Sequence, residues 1–222
     1  IDTALTLNSE NDITINANIT STSGVLDINL NSDTDMSGQG ISTLTSGNEI
    51  DTNSGALNIS GGDLSLRGGT ITGGILATSG SAKFSANNDT ISTLDGVTLA
   101  GELEIHGYGS TFVDIKNDLI LDNGLVNFVQ PVTVSPHNNH LRFLGAGTQQ
   151  LTGTGTVTFN GGTSKVYAYE AGLTDGVLEI GSGITINTGT GWGTVGTASR
   201  GLINHGTIDA NTSGKILKVT GL

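Results

Sequence analysis

Leu57-Asn58-Ile59-Ser60-Gly61-Gly62-Asp63-Leu64-Ser65-Leu66-Arg67-Gly68-Gly69-Thr70-Ile71-Thr72-Gly73-Gly74-Ile75 is the stretch whose reading decides the fold. Apolar and polar residues alternate over about three positions, a glycine pair interrupts them, and the alternation starts again. Period-two alternation marks a strand with one buried face, and segments this short do not make ordinary wide hairpins. The glycine pairs stand where the backbone has to turn a corner with positive φ. The same apolar-polar-apolar triplet recurs as Leu5-Thr6-Leu7, Ile13-Thr14-Ile15, Val97-Thr98-Leu99, Leu103-Glu104-Ile105, Val132-Thr133-Val134, Val157-Thr158-Phe159, Ile184-Thr185-Ile186 and Leu217-Lys218-Val219.

Successive segments starting at Leu57, Leu64 and Ile71, and at Ile91, Val97 and Leu103, lie too close together for strands crossing a sandwich. Sandwich strands usually have turn signals every 8 to 12 residues, whereas this spacing suits the short faces of a coil. The reading is an all-β, right-handed parallel β-helix with three short faces per coil. At about 22 residues per coil, within the range of solenoid repeats, the chain makes about ten coils. Stacked at about 4.8 Å, these form a rod of roughly 50 Å. In each triplet the outer two residues point into the shaft and the middle one faces solvent.

Composition agrees. Of 222 residues, 35 are glycine and only 13% are charged, yet 35% are hydrophobic and regularly spaced, which suffices for a continuous core. Gly, Thr, Asn, Ser, Val and Ile are weak helix formers, and no window keeps an apolar stripe at helical spacing. Residues 1–222 read as a single segment with a mild shift near residue 90. The first part is rich in Ser, Asn and Asp, with a polar stretch from Asn31 to Asn48, and every aromatic except Phe84 falls in the second. Longer loops are expected at Ser135–Asn139, Gly145–Gly155 and Asn187–Arg200.

Eight Lys plus Arg against twenty Asp plus Glu give a formal charge of -12, with the basic residues scattered singly. Nucleic acid is therefore not expected as a partner. No apolar run approaches the roughly 18 residues of a membrane span, so membrane insertion is not expected either. The absence of cysteine excludes disulfides and thiolate metal sites. No basic segment followed by an apolar run marks a signal peptide, and the chain reads as an internal part of something longer.

Candidate chemistry is sparse. Asn31, Asp33 and Asp35 lie on one polar turn with the oxygen ligands calcium prefers, but Met36 stands where an EF-hand loop needs glycine and Ser42 where it needs glutamate. His137 and His140 flank two asparagines without an adjacent carboxylate or thiol. Trp192 and the Tyr167, Tyr169, Glu170 group could stack on sugar rings, or Trp192 could cover a seam of the shaft. The arginines Arg67, Arg142 and Arg200 and the histidines His106 and His205 are the basic groups a polysaccharide-cleaving site would draw on. No Asp-Asp pair accompanies them. The outward middle residues include Asn58, Ser65, Glu104 and Lys218, so no uninterrupted threonine file for ice is evident. No catalytic, cofactor or metal residue is assigned.

Several stretches carry a resemblance. They are Asn11 to Ile19, Gly24 to Asp33, Thr93-Leu94-Asp95-Gly96-Val97-Thr98-Leu99, Gly147 to Phe159, Leu178 to Ile186, and Leu202-Ile203-Asn204-His205-Gly206-Thr207-Ile208-Asp209-Ala210. The chain resembles repeat regions of large bacterial surface proteins of the filamentous-haemagglutinin type and related autotransporter passengers. The resemblance implies a right-handed parallel β-helix exported to the bacterial cell surface, where it serves as the non-catalytic shaft of an adhesin or filament. Its implied partners are neighbouring coils of the same long chain or identical chains end to end, and a host-cell, surface or glycan receptor. The Asn-Pro motif of that family's secretion domain is missing, since Gln130 and Ser135 precede the two prolines. The alternatives are a polysaccharide-active β-helix enzyme, such as a tailspike-like depolymerase, and a carbohydrate- or ice-binding β-helix module.

Overall fold

A computed structural model describes residues 2–87, 90–106, 109–130, 138–169 and 175–222. The triplet Val132-Thr133-Val134, both prolines, His137 and Glu170 lie outside these described residues. The described residues are strands, turns and loops with no helix, and every strand pairing among them is parallel.

The chain opens with β1 (Thr3–Asn8), β2 (Ile13–Ile15) and β3 (Ile19–Thr20). β4 (Leu26–Ser32) then returns onto β1, β5 (Ser42–Thr45) onto β2 and β6 (Glu49–Asp51) onto β3. β7 (Ala56–Gly61), β8 (Leu64–Arg67) and β9 (Thr70–Thr72) repeat the circuit on β4, β5 and β6. β10 (Ile75–Thr78) lies on β7, β11 (Phe84–Ala86) on β8, and the first part of β12 (Ile91–Ala100) on β9. The rest of β12 lies on β10, and β13 (Glu102–Ile105) on β11. β14 (Phe112–Val129) covers β12 with one part of its length and β13 with another. β15 (His140–Phe143) and β16 (Thr148–Asn160) both pair with β14, and β17 (Thr163–Ala168) pairs with β15. β18 (Val177–Ile180) and β19 (Ile184–Thr188) lie on β16, and β20 (Trp192–Val195) on β17. β21 (Gly201–Asn204), β22 (Thr207–Asp209) and β23 (Leu217–Val219) close the series on β18, β19 and β20. The result is a parallel, barrel-like solenoid whose pairings run across residue 90 without a break.

The apolar members of the triplets stack in register. Leu5, Ile28, Leu57, Leu76, Leu99 and Leu121 form one inward column through β1, β4, β7, β10, β12 and β14. Large and small residues compensate along such columns. Phe128 stacks on Phe159 at 5.1 Å between ring centroids, and Phe143 aligns with Ala168. Gly193 leaves the space that the Phe159 ring fills, since a Cβ there would run into it. Such pairing of rings with small residues fills a narrow core.

Outward asparagines form axial ladders. Asn58 Nδ2 donates to Asn29 Oδ1 at 3.0 Å, and Asn29 Nδ2 to Thr6 Oγ1 at 3.3 Å. Farther along, Asn160 donates to Asn127 Oδ1 at 2.9 Å, and Asn127 to Glu102 Oε1 at 3.0 Å. These bonds join residues 23 to 33 positions apart, so the return length varies widely around the spacing of about 22 that the sequence suggests.

Corners use left-handed backbone. Gly74 has φ 75°, and a Cβ there would strike the Gly55 carbonyl. Asn117 and Asp118, at φ 50° and 69°, let β14 bend without ending. Two expected loops are corrected here. Most of Gly145–Gly155 belongs to β16, because its alternating Thr residues pair with β14 and Gly153 supplies the bend at φ 84°. Within Asn187–Arg200, Trp192–Val195 is the strand β20.

Candidate functional site

The densest cluster of interacting polar and aromatic side chains among the described residues lies on the outward side of β14, β15 and β17. Register aligns Phe112 with His140 and Lys165, and Asp114 with Arg142 and Tyr167. The inward neighbours Val113, Leu141 and Val166 are fully buried and fix which way these side chains face. Arg142 Nε donates to Asp114 Oδ1 at 2.6 Å and Nη2 to Oδ2 at 2.9 Å. The guanidinium also lies 4.3 Å from the Phe112 ring centroid and 4.6 Å from that of Tyr169. A planar guanidinium is suited to this role, forking onto a carboxylate while stacking between rings.

His140 completes the cluster. Its ring lies 5.1 Å from Phe112 and edge-on to Tyr167 at 5.4 Å, and Nδ1 is 3.1 Å from the Tyr167 hydroxyl. Burial, with Lys165 and Arg142 nearby, pushes its pKa down to about 4. The imidazole is therefore neutral at pH 7, and its buried Nε2 has no hydrogen-bond partner among the described residues. Burial raises the Tyr167 hydroxyl above its ordinary value. Asp114 commits both oxygens to Arg142, so the pair fastens one strand to the next. His137, the expected companion of His140, and Glu170, that of Tyr169, fall outside the described residues.

A second polar strip crosses β8, β11 and β13. Lys83 Nζ lies 2.7 Å from Glu104 Oε2 and 3.8 Å from Glu102 Oε1. Burial raises the Asp63 carboxyl above its usual range, while the Glu104 hydrogen bond raises Lys83. His106 Nε2 sits 2.9 Å from Ser85 Oγ and 3.7 Å from Glu104 Oε1. A serine relay needs the carboxylate on the other ring nitrogen from the hydroxyl, where it can orient the base. Here both face one nitrogen, and Ser85 is only 5% exposed. The remaining expected bases are dispersed. Arg67 is exposed at the end of β8, Arg200 Nη1 donates to the Ser199 carbonyl, and His205 pairs with Glu179 at 3.4 Å.

The acidic turn closes on itself. Asp33 has φ 65°, and its Oδ1 accepts from Ser37 Oγ at 2.8 Å and from the Gly38 amide at 2.9 Å. The Ser37 bond holds its carboxyl below the usual range. Asn31 points along the ladder instead, donating to Asn8 at 3.4 Å, and Asp35 caps the Ser37 amide at 3.2 Å. The turn therefore brings Asp33 and Asp35 together around Ser37, while Asn31 points away from them.

Trp192 is 51% exposed on the outward side of β20, where it lines an open groove of about 180 Å³ with Thr194, Ile216 and Lys218. The Asp114–Arg142 pair, whose members are 28 residues apart, was not singled out from the sequence. Aligning Phe-Val-Asp-Ile at 112–115 with His-Leu-Arg-Phe at 140–143 as successive coils would have revealed it, since opposite charges then meet at the same middle position. No known protein family, curated protein or solved structure matches this chain.

Proposed function

We propose that the chain is a segment of a right-handed, three-faced β-helix that serves as the non-catalytic shaft of an exported bacterial surface adhesin or filament. One observation carries this reading: parallel pairing and an apolar core continue from β1 to β23, so the repeat occupies the whole length described. The lines β1–β4–β7–β10–β12–β14–β16–β18–β21, β2–β5–β8–β11–β13–β14–β16–β19–β22 and β3–β6–β9–β12–β14–β15–β17–β20–β23 are the three faces of the coil. Right-handedness follows from the chirality that governs nearly all parallel crossovers. At about 4.8 Å per strand the shaft is about 40 Å long, somewhat shorter than the sequence spacing suggests because several returns are long.

The mechanism is mechanical. Stacked coils space whatever the parent chain carries, and backbone and asparagine ladders resist unzipping. The end strands offer unpaired edges to further coils or to identical chains. The non-catalytic reading is supported by the carboxylates, since Asp33, Asp114 and Glu104 are held by donors of the same chain.

Two measurements test the reading. Antibodies against the chain should label intact, non-permeabilised producing cells, and labelling only after permeabilisation would contradict it. A panel of neutral and acidic polysaccharides should release no reducing or unsaturated ends, and turnover of any of them would favour the depolymerase alternative.

A further inference from the structure

The chain carries a formal charge of -12, yet its charges are unevenly placed. The strands β15, β17, β20 and β23 contain no Asp or Glu, and they hold Arg142, Lys165 and Lys218, three of the eight Lys and Arg residues. Carboxylates lie on the other lines of strands, with Asp27 on β4, Glu102 and Glu104 on β13, and Glu179 on β18, and on earlier strands of the same line, with Asp51 on β6, Asp95 on β12 and Asp114 on β14. The same line carries the exposed aromatic surface, with Tyr167 half-buried and Trp192 and Ile216 exposed. Register places Lys165, Thr194 and Lys218 in one outward column beside Trp192. Among the described residues neither lysine is in an ion pair, whereas Arg142 is neutralised by Asp114.

We infer that the outward face of β17, β20 and β23 is a binding site for an anionic polysaccharide strand. One sugar ring stacks on Trp192 in the groove against Ile216, and carboxylate substituents of neighbouring rings meet Lys165 and Lys218. The chemistry matches: an aromatic face takes the apolar side of a sugar ring, Thr194 supplies a hydroxyl, and the two ammonium groups supply charge. The lysines lie one strand either side of Thr194, about 10 Å apart along the shaft. That spacing suits a chain with charge on separate rings. A DNA duplex carries one charge per about 1.7 Å of axis, far denser than two lysines at this spacing can match. This site does not depend on where the shaft is displayed, so failure of the cell-labelling test would leave it standing.

Trp192 is the single tryptophan, so its fluorescence reports the site directly. Polygalacturonate titrated into the whole chain at low salt should quench or shift that emission saturably, while neutral dextran of equal length should not. Affinity should fall at least tenfold in the Lys165→Gln, Lys218→Gln double variant and should weaken as salt rises. Calorimetry on Trp192→Ala should show binding lost, with the urea midpoint of unfolding unchanged in both variants. Equal binding of dextran, tighter binding of duplex DNA, or undiminished affinity in the double lysine variant would each overturn the proposal.

Discussion

Arg142 and Asp114 exchange two hydrogen bonds at positions that are each only 7% exposed, so removing either partner strands a charge away from water. Arg142→Ala and Asp114→Ala should each destabilise the chain by about 3 to 5 kcal/mol in urea unfolding. Replacing both together, as Asp114→Leu with Arg142→Met, should recover most of that loss, because no charge is then left unpaired. His140 adds a pH dependence with a defined sign. Its folded pKa of about 4 lies below the ordinary 6.5, so the unfolded chain binds the proton more readily between those values. Stability from this site is fully present above about pH 6.5 and falls as the pH drops toward 4, by about 2 to 3 kcal/mol. Urea midpoints at pH 7 and pH 4.5 should differ less in His140→Phe than in the natural chain. These residues were poorly legible in the sequence. The alternation rule places middle residues in water, but Asp114, Arg142 and His140 are covered by the aromatic rings and strands stacked above and below them.

Strands were the legible elements, and their ends were not. The triplet Leu57-Asn58-Ile59 became the centre of β7 with its apolar residues inward, as period-two alternation requires. The expected loop around Gly153 instead became part of the 13-residue β16, because a glycine with positive φ can bend a strand while its neighbours keep pairing. β14 shows the same effect over 18 residues, since Asn117 and Asp118 take the corner that a glycine pair marks elsewhere. Asn117→Val should therefore destabilise the corner by about 1 to 2 kcal/mol, since a β-branched residue resists that backbone region. Asn117→Gly should be neutral or better by the same measurement. On the inward side, Phe128→Ala should cost about 3 to 5 kcal/mol, because it opens a cavity against the Phe159 ring that the neighbouring strands cannot close.

At the scale of the whole molecule, the repeat was readable because every coil solves the same problem of burying a short apolar face. The return length was not, because loops outside the strands absorb insertions at little cost in packing. The turn at Asp33 shows why a corner rich in Asp, Ser and Asn is ambiguous in sequence, since the residue types that suit a cation are also those a left-handed turn needs for its own hydrogen bonds. The account stands on coils that stack in parallel with the stated register, and the absence of native cysteine makes this directly measurable. Cysteine pairs can be placed at outward partners on neighbouring strands, namely Asn29 with Asn58, Thr43 with Ser65, and Thr158 with Asn187. Partners on adjacent parallel strands lie within the Cα separation that a disulfide tolerates. Mild oxidation followed by mass spectrometry should give an intramolecular disulfide in each of these variants, and little when one cysteine is moved two residues along its strand. Equal cross-linking of the displaced pairs, or failure of the aligned ones, would contradict the stacked solenoid.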